Sequence, residues 1–169
     1  MADAARLVIA SDHAGYGLKE EIKGFLSARG LAVEDVGAAC PDPVDYPDFA
    51  ARAAALVSSG EVARGILICG SGIGMSITAN RFPGVRAALC WTSEIARLSR
   101  EHNDSNILVL AARFTAAEDA KEIVCVWLET AFSREERHAG RLEKIARIEK
   151  ELQGRSLKPG GEPGPGRTC

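Results

Sequence analysis

The sequence predicts an α/β fold in which helices cover both faces of a five-stranded parallel sheet. Three observations predict it. Apolar runs of strand length recur five times, stretches with helical spacing separate them, and glycines or polar clusters stand at the joints. The runs are continuous rather than alternating, as expected of strands buried on both faces.

Taken in order, the strands are expected over 6–10, 31–36, 65–69, 85–90 and 106–111. The helices are expected over 17–28, 48–58, 75–80, 93–102 and 116–131. Gly30 and Gly60 follow the first two helices as C-terminal caps. Thr115, with Glu118 three residues on, has the spacing of a capping box for the fifth. Residues 37–47 carry Pro41, Pro43 and Pro47, which exclude a helix interior, so they read as an ordered surface loop. A sixth, highly charged helix is expected over 134–152, with a narrow apolar stripe of Leu142, Ile145, Ile148 and Leu152. Two readings of it stay open: it packs on its own sheet, or it reaches a neighbouring subunit. Residues 1–153 are read as one domain and the Gly/Pro-rich stretch 154–169 as a disordered tail.

Composition narrows the function classes. The 169 residues are 46% hydrophobic and 26% charged, which is globular and soluble, and the formal charge of −2 points to neither nucleic acid nor an anionic membrane as partner. Residues 1–6 lack the apolar core of a signal peptide, and no run has transmembrane length. Five cysteines at scattered positions, with no C-x-x-C pair, read as reduced thiols in a cytoplasmic compartment.

Ligands of open parallel sheets bind outside the carboxyl ends of the strands. Those ends carry Ser11-Asp12-His13, then Cys69 with Gly70-Ser71-Gly72-Ile73-Gly74, then Cys90-Trp91-Thr92, then Ala112-Arg113, so four of the five edges are expected at one mouth. Cys69 meets a glycine turn whose amides can stabilise a thiolate and hold an anion, a pairing suited to proton abstraction beside a carbonyl. The plainer alternative is a small buried hydrophobe. The loop is not a dinucleotide fingerprint, since Met75 stands at the third glycine position, and no Gly-Lys-Ser/Thr follows to make a P-loop.

Asp12-His13 reads either as a helix cap or as a contact to a sugar hydroxyl or phosphate. His102 reads as a partner of the helix dipole or, with Asn103, as a proton donor and amide for opening a sugar ring. Arg137 and Arg141, four apart, share one helical face, which is either a solvated basic surface or a grip on a phosphate dianion. Arg113 ends the fifth strand. Three dispersed histidines without a close carboxylate cluster make no convincing metal site.

Five motifs, in this order and spacing, resemble the type B ribose-5-phosphate isomerases of the ribose/galactose sugar-phosphate isomerase family. They are Ala10-Ser11-Asp12-His13-Ala14-Gly15, Asp45-Tyr46-Pro47, Ile68 to Ser76, Ser99 to Asn106, and Arg137-His138-Ala139-Gly140-Arg141. The resemblance covers 6–152. It implies a Rossmann-like three-layer αβα fold and metal-free, cofactor-free interconversion of ribose 5-phosphate and ribulose 5-phosphate through a cis-enediol. By the resemblance Cys69 is the base, Ser71 orients it or the substrate, His102 is the ring-opening acid, and Asp12 is its possible helper. Asn103 and the amides of Gly70, Ser71, Gly72, Ile73 and Gly74 would stabilise the enediolate. His13, Arg113, Arg137 and Arg141 would meet the phosphate, and Tyr46 would flank the sugar. The family's oligomers imply a homodimer, or a homotetramer, with sites shared between subunits. Alternatives are an isomerase of allose, galactose or tetrulose phosphates, or a non-catalytic sugar-phosphate sensor. Retention of Cys69, His102 and Asn103 together argues against the sensor.

Overall fold

The computed structural model describes residues 7–154. Its elements run β1 (Leu7–Ser11), α1 (Tyr16–Ala28), β2 (Val33–Asp35), α2 (Tyr46–Ser58), β3 (Arg64–Cys69), α3 (Ile73–Ala79), β4 (Ala87–Leu89), α4 (Ser93–Asn103), β5 (Ile107–Ala111), α5 (Ala117–Glu129) and α6 (Glu136–Gly154). The strands form one parallel sheet in the order β2-β1-β3-β5-β4. The expected αβα layering holds, and the alternation of strand side chains creates it. Leu7, Ile9, Ile66, Ile68, Leu108 and Leu110 face a core closed by α1, α4 and α5. Val8, Ala10, Leu67, Cys69, Ile107 and Val109 face the opposite core, closed by α2 and α3. Successive residues of the apolar runs thus feed two cores, which is why the runs are continuous.

The chain leaves β1 toward β2 on one side and returns to place β3 on the other. That reversal opens a crevice between the carboxyl ends of β1 and β3, the preferred ligand position in such sheets. Asp12 N–H donates to Ile68 O at 3.2 Å and Ala112 N–H to Cys69 O at 2.9 Å, holding the three strand ends together.

Several boundaries differ from expectation. The edge strands are short. Leu31 N–H donates to Leu26 O and Gly30 N–H to Ser27 O, a Schellman closure of α1 that draws residue 31 away from β2. Arg86 is engaged by Asn106, whose Oδ1 accepts its N–H at 2.7 Å, so β4 begins at Ala87. Helix α2 starts at Tyr46 rather than residue 48, with Pro47 in the first turn, where its missing N–H leaves no bond unmade. Thr115 is not the cap of α5: Ala116 holds that position without a side-chain bond, and Thr115 Oγ1 is buried without a partner. Gly154, read as the start of the tail, ends α6 instead; residues 155–169 lie outside the described residues.

One buried charge braces the approach to the crevice. Lys19, with a fully buried side chain, donates from Nζ to Asp35 Oδ1 (2.9 Å), Asp35 Oδ2 (2.7 Å) and Ala38 O (2.6 Å). Burial pushes the Asp35 carboxyl up, but hydrogen bonds from Lys19, Lys23 and the Gly37 amide outweigh it and hold its pKa below the ordinary value. A carboxylate depressed on folding contributes its stabilisation above about pH 4, the unfolded value, and loses it as pH falls through the folded value. Lys19→Met should therefore cost about 3 kcal/mol near neutrality, the low end for a broken buried pair because Asp35 keeps Lys23. Urea melts between pH 3 and 7 should also show a shallower acid loss in the variant than in the parent. A parallel offset at every pH would contradict this account.

Candidate active site

The crevice between β1 and β3 is a pocket of about 170 Å³ lined by Asp12, His13, Ala14, Tyr46, Cys69, Gly70, Ser71, Gly74 and Arg113. Cys69 is the last residue of β3 and only 4% exposed, yet it forms part of this wall. Gly72 N–H donates to its Sγ at 3.1 Å, supplying the amide donor that the glycine turn promised. Gly72 has φ 76°, and its turn starts α3 directly beneath the sulfur. Ile73 N–H lies 3.4 Å from Ser71 Oγ, so two of the loop's amides are already engaged within the loop.

The other glycines let side chains close over the turn. A Cβ on Gly74 would sit 2.5 Å from the Tyr46 ring, and one on Gly70 would sit 3.1 Å from Arg113 Nε. Tyr46 and Arg113 therefore lie against the loop because those positions carry no side chain. Arg113 N–H also donates to Gly70 O at 3.0 Å. Across the crevice, Asp12 Oδ1 accepts from Gly15 N–H at 2.9 Å and ties the turn after β1. His13 Nδ1 lies 3.2 Å from both the N and the O of Val44, which anchors the 37–45 loop beside the pocket. Thus Asp12 and His13 serve local structure and still line the pocket.

The structure does not bring every expected residue to this place. Cys90-Trp91-Thr92 is absent from the pocket wall, because β4 is the far edge strand, separated from β3 by β5. Cys90 is buried, its Sγ 3.8 Å from Ser99 Oγ, and burial pushes its thiol up to about 11, as for an inert core residue. Thr92 instead caps α4, accepting from Ile95 N–H at 3.2 Å.

His102, Asn103, Arg137 and Arg141 form a separate group. Helix α4 returns from β4 to the start of β5, so its last residues lie at the amino edge of the sheet. Asn103 O accepts from Arg86 Nε at 3.0 Å at the foot of β4. Cys69 pairs with Ala111 and Gly65 with Ile107. The two groups are thus separated by the length of β5, roughly 15 Å at ~3.3 Å per residue. In the second group the His102 and His138 rings lie 4.2 Å apart, joining the end of α4 to the start of α6. Arg137 and Arg141 project from the exposed first turns of α6. His138, which lies within the Arg137–Arg141 motif, joins this group through His102, and Ala14 lines the pocket while carrying no chemical signal in the sequence.

The larger groove, about 700 Å³, lies elsewhere, between α6 and the connection from α3 to β4, and none of the Cys69 group lines it. The apolar stripe of α6 faces it while remaining open: Ile145 is 50% exposed and Leu152 62%.

A thiol, a carboxylate, an imidazole and a guanidinium converge on a glycine loop at the switch point of an αβα sheet, the layout of an enzyme site with a candidate base beside candidate anion donors. Residues 7–145 match the pattern of the family described as Ribose/Galactose Isomerase. The chain is 44% identical over 144 residues to ribose-5-phosphate isomerase B of Escherichia coli (strain K12), covering 85% of this chain and 96% of that protein. It is 38% identical over 154 residues to 4-deoxy-4-sulfo-D-erythrose isomerase of Clostridium sp. (strain MSTE9), covering 87% and 97%. The solved structure of Clostridium thermocellum ribose-5-phosphate isomerase B superposes with a TM-score of 0.85 at 51% identity, covering 87% of this chain and 99% of that one. The chain belongs to the ribose/galactose isomerase family, and its enzyme class is aldose–ketose isomerase.

Proposed function

We propose that the chain interconverts ribose 5-phosphate and ribulose 5-phosphate in the cytoplasm, as a homodimer whose sites are each built from two copies. One observation carries the two-copy reading. The Cys69 pocket holds about 170 Å³, below the ~300 Å³ at which ligand sites usually begin. Meanwhile the acid and the paired arginines stand at the opposite edge of the same chain. A second copy presenting His102, Asn103, Arg137 and Arg141 to the pocket would complete both halves at once, as a two-fold axis requires. The open apolar stripe of α6 supports such a contact.

In this reading His102 donates a proton to the ring oxygen as the C1–O bond breaks, and the anomeric hydroxyl gives its proton to Asp12. Cys69, as the thiolate, then removes the C2 proton while Asp12 returns its proton to O1, forming a cis-enediol steadied by Asn103 and the turn amides. Return of the sulfur-held proton to C1, with release of the O2 proton to solvent and reloading of His102 from solvent, gives the ketose. Ser71 orients the reacting carbons, Tyr46 flanks them, and His13 and Arg113 meet the phosphate together with Arg137 and Arg141.

A second substrate reading has its own support. The 38% identical relative is named for a sulfonated tetrose, an anion of different length and headgroup. A panel of pentose, hexose and tetrose phosphates with the sulfonated tetrose, followed by NMR, separates them. Highest kcat/KM for ribose 5-phosphate supports the reading; preference for any other member replaces the substrate, and no turnover of any would leave only a sensor.

A further inference from the structure

His138 is the one buried imidazole of the second group, 2% exposed where α4 meets α6. Its Nδ1 lies 2.8 Å from Ser133 Oγ. Ser133 N–H in turn donates to Glu101 O at 3.0 Å, so the residue that holds His138 is fastened to the residue preceding His102. The backbone N–H of His138 donates to Glu135 O at 2.9 Å, fixing the start of α6. The His138 backbone is thus held by the first turn of its own helix, and the ring by Ser133 through Nδ1. Its free face lies against His102, with 4.2 Å between centroids and 38° between planes.

A leucine would fill such a site with less desolvation cost, so packing alone does not account for an imidazole there. Burial pushes the His138 pKa down, the positive charges of His102, Arg137 and Arg141 push it the same way, and Glu135 opposes them. A neutral His138 can lie against His102 without repelling its charged form.

We propose that His138 is a positioning residue for ring opening: its buried, Ser133-anchored ring sets the height and tilt of His102 toward the sugar. The inference rests on the proposed role of His102 and extends it. Positioning matters at this scale, because an ångström of misplacement can cost about 100-fold.

Substrate chemistry offers a clean test. Ribose 5-phosphate is mainly cyclic and must be opened. Ribulose 5-phosphate, with O5 esterified, has no furanose form, and exchange of its C1 proton with solvent requires the base and the enediolate donors but no ring opening. Both reactions are to be followed by NMR in D₂O for parent, His102→Ala, His138→Ala and Ser133→Ala. His138→Ala should lose ~10- to 100-fold in isomerisation of the aldose while retaining C1 exchange within about threefold of the parent. Ser133→Ala, which keeps the imidazole, should show the same split more weakly, and it carries the test should His138→Ala fail to fold. Equal losses in both reactions, or parental aldose turnover, would overturn the positioning role. Parental aldose turnover in His102→Ala would instead overturn the reading beneath it; loss there, with His138→Ala unaffected, would overturn the inference alone.

Discussion

Cys69→Ala should abolish exchange of the C2 proton and lower kcat by about 10²- to 10⁴-fold, the usual contribution of a positioned general base. That corresponds to roughly 3–5 kcal/mol of barrier. The substitution removes one atom from the pocket wall and leaves His13 and Arg113 in place, so affinity for a phosphorylated inhibitor should change little. The remaining donors should keep their geometry, because Gly72, at φ 76°, still caps α3 and loses only its bond to sulfur. Rapid-quench kinetics in D₂O, with calorimetric titration of the inhibitor, gives both quantities. Full exchange in the variant would remove Cys69 from the base role, and lost inhibitor binding would make it a structural residue.

Gly15→Ala should be severely damaging to the crevice, because the added methyl meets backbone. A Cβ there would stand 2.5 Å from Ile68 O and 2.7 Å from Ile68 C, and backbone cannot swing aside as a flexible side chain can. The turn after β1 would have to lift from β3, straining the Asp12 N–H to Ile68 O bond and the Asp12 carboxylate bond to Gly15. Forced overpacking of this kind costs about 1–3 kcal/mol. Activity should fall further than stability, since Asp12 and His13 move with the turn. Gly17→Ala is the control: two residues on, inside α1, whose N-cap is Gly15, nothing lies within 4 Å, and the change should stabilise by up to about 1 kcal/mol. Thermal melts and kcat/KM for the pair would contradict the account if the two variants behaved alike.

The fold was legible where residues have only one reading. Residues 65–69 and 107–111 are unbroken apolar stretches that the two cores require, and both became central strands. Residues 31–36 and 85–90 were overextended because edge strands share their ends with caps and loops, which apolar pattern does not register. The cap of α5 slipped by one residue, since Thr115 and Ala116 differ only in whether the backbone turns before or after the hydroxyl. The glycine loop after Cys69 was legible because a strand ending in Gly-Ser-Gly must turn sharply. The separation of His102 from Cys69 was also within reach: a helix joining two parallel strands must end at the amino edge of the second. Motif resemblance pools residues without saying how far apart the fold holds them, and the topology supplies that separation.

The central claim is that one chain supplies the base and another supplies the acid. Chains carrying Cys69→Ala and His102→Ala, each with its own affinity tag, can be mixed, refolded and purified through both tags. A shared site predicts that two nearly inactive parent variants yield a hybrid with about half the activity of the unsubstituted protein on ribose 5-phosphate, because one of its two sites has both groups intact. A hybrid no more active than its parents would contradict it.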